Sequence, residues 1–89
     1  MEQPSDATKI ELCRIAAFTG QYDSARAELK QILDREPNNF EALTTLAYVE
    51  VQLQDTVVAA GLYRRALEIR PSPAVAKALE SLTTAPGRK

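Results

Sequence analysis

The apolar positions of this chain recur at helical spacing in five runs, separated by short polar or proline-bearing joints. Ile10, Leu12, Cys13, Ile15, Ala16 and Phe18 predict a first helix over residues 6–19, capped by Ser5 and closed at Gly20, where a left-handed backbone lets the chain reverse. A second helix covers 22–35, with Ala25, Leu29, Ile32 and Leu33 on one face and Arg26, Lys30, Gln31 and Asp34 largely on the other. It stops at Glu36, because a residue before proline is pushed out of helical geometry. Asn38 offers a cap for a third helix over 40–53, and Glu41 three residues later completes a pattern like the capping box. Its expected core positions are Ala42, Leu43, Leu46, Ala47 and Leu53. Gln54-Asp55 makes the next turn without a glycine, and Asp55 caps a fourth helix over 56–69 that buries Ala59, Leu62, Tyr63, Ala66 and Leu67. Ser72-Pro73, a cap followed by proline, starts a short fifth helix over 74–83, with Val75, Ala78, Leu79 and Leu82 facing back onto the fourth. Residues 1–5 and 84–89 are expected to be disordered ends.

A shift of 34 residues lays Leu12 on Leu46, Ala25 on Ala59, Leu33 on Leu67 and Pro37 on Pro71. The chain therefore divides into a helix pair over 6–39, a second copy over 40–73, and a capping helix over 74–83. Helix pairs of this size cannot bury their apolar faces alone and must stack on neighbours.

In the second copy, Leu43-x2-Leu46-Ala47, then Ala59-x3-Tyr63-x2-Ala66 and Pro71, resembles the tetratricopeptide repeat. The first copy resembles it through Leu12, Gly20, Tyr22, Ala25, Leu29 and Pro37, with Lys9 at the usual large apolar position. The resemblance implies an all-α fold of five helices, a right-handed superhelical stack of antiparallel helix pairs. It also implies that the first helix of each pair lines a concave, partner-binding side. Glu50 stands where the family usually has an aromatic residue, and Cys13 and Ala47 replace its usual glycine. The expected consequence is a slightly looser contact between the two helices of the second copy.

Charge narrows the partner. Eleven basic and twelve acidic residues leave a net charge of -1, whereas phosphate binding needs a basic excess that releases counterions. Neither nucleic acid nor membrane insertion is expected, since no run approaches the roughly 18 apolar residues of a span. Met1-Glu2-Gln3-Pro4 lacks the basic start and apolar core of a signal peptide, so a cytoplasmic location is expected. The chain has no histidine, and its lone Cys13 sits at core spacing with Leu12 and Ala16. With no glycine-rich phosphate loop either, the expectation is no enzyme, no catalytic residue, no cofactor and no metal site. Glu28, Asp34, Glu36 and Glu68, interspersed with Arg26, Lys30, Arg64, Arg65 and Arg70, read as a solvated outer face.

The informative residues lie on the helices that the resemblance places on the concave side. Ile10, Arg14, Ala17 and Phe18 share one face of the first helix; Glu41, Thr44, Tyr48, Val51 and Gln52 share one face of the third. Arg14 and Tyr48 stand one repeat apart, so stacking should set them side by side. The result is a groove with an aromatic anchor, an apolar floor and a cation, suited to an amphipathic helix or an extended peptide. The bland alternative is that Phe18 and Tyr48 only pack between neighbouring helices. Relatives that clamp chaperone C-termini carry lysine and asparagine where this chain has Ile10 and Arg14, so that activity is not expected. The leading reading is a protein-binding module acting as adaptor, assembly factor or chaperone. Its rivals are a self-associating unit, in the simplest case a homodimer, and a fragment of a longer solenoid.

Overall fold

The computed structural model describes residues 6–83, which fold into five α-helices: α1 (Asp6–Phe18), α2 (Tyr22–Arg35), α3 (Phe40–Gln52), α4 (Thr56–Ile69) and α5 (Pro73–Thr83). Each boundary falls within one residue of the expected position. The cap at Ser5 and both disordered ends lie outside the described residues.

One turn reverses the chain inside each helix pair, and the two turns match. The Gln21 N–H donates to the Ala16 carbonyl at 2.8 Å, and 34 residues later the Asp55 N–H donates to the Glu50 carbonyl at 2.8 Å. Both bonds reach back five residues, which requires a left-handed residue between helix and bond. Gly20 meets the requirement at φ +89°, and Gln54 meets it without glycine at φ +67°.

Caps start the later helices. The Asp55 carboxylate accepts from the Val58 N–H at 3.4 Å, and the Ser72 hydroxyl accepts from the Val75 N–H at 3.3 Å. At α3 the cap is Asn39, not the expected Asn38. Asn39 is the last extended residue before the helix (φ -74°, ψ 106°), so its side chain is the one placed to accept from the Ala42 N–H at 3.0 Å.

α3 is the central helix, packed on α1, α2 and α4, while α5 covers α4. Leu29, Ile32, Leu43 and Val49 are wholly buried. Ala25, Ala42, Ala47, Ala59 and Ala66 are buried among them, and their small side chains let the helix backbones approach closely. The joint at residues 36–40 is tied to α4 from outside. Arg65 donates to the Pro37 carbonyl at 2.9 Å, and Arg70 donates to Glu41 at 2.6 Å while its guanidinium lies 4.1 Å from the Phe40 ring centre.

Two expectations change. Leu12 and Ile15 are 56% and 53% exposed, although Leu46 and Val49, 34 residues later, are 4% and 0% exposed. Helices α1 and α2 cover that side of α3, and no described helix covers the same side of α1. Glu50, read as a substitution that loosens the second pair, is instead fully buried and accepts from Nε of Arg26 at 3.0 Å. Arg26 thus leaves the solvated face assigned to it and bonds α2 to α3, joining the two pairs. No described helix is long and apolar enough to cross a membrane.

Candidate partner-binding groove

Helices α1 and α3 lie against each other, and the 34-residue offset brings Arg14 beside Tyr48. With Phe18, Thr44 and Thr45 they line an open cavity of about 270 Å³. The Phe18 ring meets the Tyr48 ring edge-on, with centres 5.5 Å apart and planes at 77°, the geometry that ring quadrupoles favour. Phe18 is nevertheless 67% exposed, so the contact with Tyr48 leaves most of its apolar surface in water. Tyr48 is half-buried and packs against the core.

The polar groups on this surface are lightly held. Arg14 approaches Glu11 at 3.5 Å across one helical turn, with 42% of its side chain and 61% of its partner's exposed. A pair this open contributes about 0.2–1 kcal/mol, so a ligand carboxylate can compete for the guanidinium. The Thr44 hydroxyl donates to the Glu41 carbonyl of its own helix at 3.1 Å. Tyr63 belongs to the buried core; burial first, and Tyr48 second, push its phenol above the ordinary 10.0.

Of the nine residues expected in the groove, Arg14, Phe18, Thr44 and Tyr48 line the cavity together. Ile10 and Ala17 do not: at 4% and 1% exposure they belong to the core. Residues 10, 13 and 17 share one stripe of α1, and that stripe is the one buried. Val51 is half-buried against the core, Gln52 is exposed, and Glu41 is engaged by Arg70. Thr45 lines the cavity and was missed, since a threonine beside core residues carries no signal of which helix will cover it.

A family model described as the tetratricopeptide repeat matches residues 11–76, most of the chain. The chain belongs to the tetratricopeptide repeat family. No curated protein and no solved structure matches it. Tetratricopeptide repeats are in general protein–protein interaction modules of a non-catalytic fold, and the groove between α1 and α3 is built from the first helix of each repeat. In this tetratricopeptide repeat protein, burial and then the nearby Glu28 push the Cys13 thiol above its ordinary 9.0. The thiolate needed for nucleophilic or metal chemistry is thereby disfavoured.

Proposed function

We propose that this tetratricopeptide repeat protein is a non-enzymatic adaptor, assembly factor or chaperone that docks a peptide or amphipathic helix of a partner in the groove of α1 and α3. The observation that carries the reading is Phe18, an aromatic ring two-thirds exposed on a folded surface, edge-on to Tyr48 and beside an available arginine. Fully burying such a side chain is worth about 1.5–3 kcal/mol, and aromatic and arginine anchors dominate binding energy at protein interfaces. An apolar side chain of the partner would pack on the exposed faces of Phe18 and Tyr48, in the cavity they line with Thr44 and Thr45, while an acidic or carbonyl group meets Arg14.

The test is a display selection of helical peptides on the wild-type chain, followed by titration of the selected peptide against variants. Phe18→Ala, Tyr48→Ala and Arg14→Gln should each weaken binding tenfold or more, a loss of about 1.4 kcal/mol or above. Phe18→Ala should leave the helical melt unchanged, because the ring is mostly in water. Affinity unaffected by all three substitutions would dismiss the groove.

A further inference from the structure

The two repeats provide an internal comparison. On α3, Leu46 and Val49 are 4% and 0% exposed beneath α1 and α2; on α1, the matching Leu12 and Ile15 are 56% and 53% exposed. Beside that ridge an open cleft of about 240 Å³ runs between α1 and α2, with Leu12, Cys13, Ala16 and Ala25 along it and Lys9 and Glu28 at its rim. In the second repeat the corresponding space is occupied: Glu50, which matches Ala16, is reached there by Arg26 of α2. The fold therefore covers this face where it can and leaves it open at α1.

The chemistry of the open face says what fits it. Lys9 and Glu28 stand where the second repeat has Leu43 and Leu62, both buried. A preceding repeat's helix that filled the cleft as α2 does would take these two charges out of water, a desolvation that their pairing would have to offset. The two approach each other at 3.8 Å across the rim with 28% and 38% of their side chains exposed. With charges of both signs balanced, a strongly acidic or basic helix gains nothing here. A twofold interface, by contrast, needs one patch to carry its own complement, a ridge beside a cleft and a base beside an acid.

We propose that this face is a self-association site, on which a second copy of the chain packs its own α1 against α1 about a twofold axis near Ile15. The Leu12–Ile15 ridge of each copy enters the cleft of the other, and Lys9 of one copy meets Glu28 of the other at the rim. This face is separate from the groove of α1 and α3, so the two are tested independently.

The experiment is solution mass by light scattering on the full chain, over a concentration series from micromolar to millimolar. Wild type should rise from 9.8 kDa toward twice that mass. Ile15→Glu, which sets two carboxylates face to face near the axis, should stay monomeric with unchanged helicity. On a Cys13→Ala background, Ile15→Cys should form a disulfide-linked dimer on mild oxidation, an outcome that survives if Ile15→Glu folds poorly. Tyr48→Ala should leave the dimer intact. A wild-type mass of 9.8 kDa at every concentration would overturn the proposal. So would a dimer that persists in Ile15→Glu and is dissolved by Leu79→Glu on α5.

Discussion

Removing Arg26 should be far more damaging than removing Glu50, although the two are partners in one ion pair. They meet at 3.0 Å with 37% of the arginine side chain and 1% of the glutamate side chain exposed. Two unit charges at that distance attract by about 5 kcal/mol at an effective dielectric constant of about 20. Desolvating the carboxylate costs several kcal/mol, and Oε1 of Glu50 has no hydrogen-bond partner among the described residues, a further cost of about 1–3 kcal/mol. The pair is therefore near break-even, and what a substitution does depends on what it leaves behind. Arg26→Met leaves a carboxylate stranded between α2 and α3, and should cost about 3–5 kcal/mol. Glu50→Leu leaves an arginine already one-third in water, free to turn outward, and should cost about 1 kcal/mol or less. The double variant Arg26→Met/Glu50→Leu should match or exceed wild type, since apolar replacement of a buried pair is neutral or stabilising by about 1–4 kcal/mol. Urea unfolding followed by circular dichroism at 222 nm reads the order directly. With a slope of about 1–1.5 kcal/mol per molar for a chain this small, the Arg26→Met midpoint should fall by about 2 M or more. If Glu50→Leu costs more than Arg26→Met, or if both single variants stay within about 0.5 kcal/mol of wild type, the reasoning fails.

The turns make a second prediction: Gln54→Gly should stabilise the chain by about 0.5–1 kcal/mol, because Gln54 holds a left-handed conformation that glycine adopts without strain. Gly20→Ala should lose about 1 kcal/mol for the same reason, since a Cβ there meets nothing within 4 Å and only the backbone objects; matched urea midpoints check both. Stability should also fall in alkali. The folded state holds the Cys13 proton more tightly than the unfolded chain does, so its contribution is full below about 9.0 and is lost as pH rises through the raised value. Tyr63 adds a second loss above about 10.0 by the same sign. Urea midpoints from neutral pH upward should show the decline, and Cys13→Ala should remove its first part.

The helices, their ends and the turn at Gly20 were legible in the sequence because each depends on neighbours within a few residues. The cap at α3 was misplaced by one residue, as two adjacent asparagines offer the same chemistry and only the backbone angles choose between them. Burial was less legible. Periodicity marks Leu12 and Ile15 as apolar positions of α1, but only the stack shows that nothing described lies over them. Glu50 read only as a tolerated departure that loosens a contact, because its partner is 24 residues away on another helix, a distance at which no local pattern speaks. Within the groove, the repeat offset correctly paired Arg14 with Tyr48. Ile10 and Ala17 were lost because the shared face of α1 is wide, and one edge of it turns into the core.

The proposed function places the partner in the groove of α1 and α3. Titrating the nitrogen-15-labelled chain with the display-selected helical peptide, and following each amide by NMR, tests it most directly. The largest shifts should cluster at Arg14, Phe18, Thr44, Thr45 and Tyr48, with α4 and α5 little changed. Shifts centred instead on the outer side of α5, around Lys77 and Glu80, would contradict it.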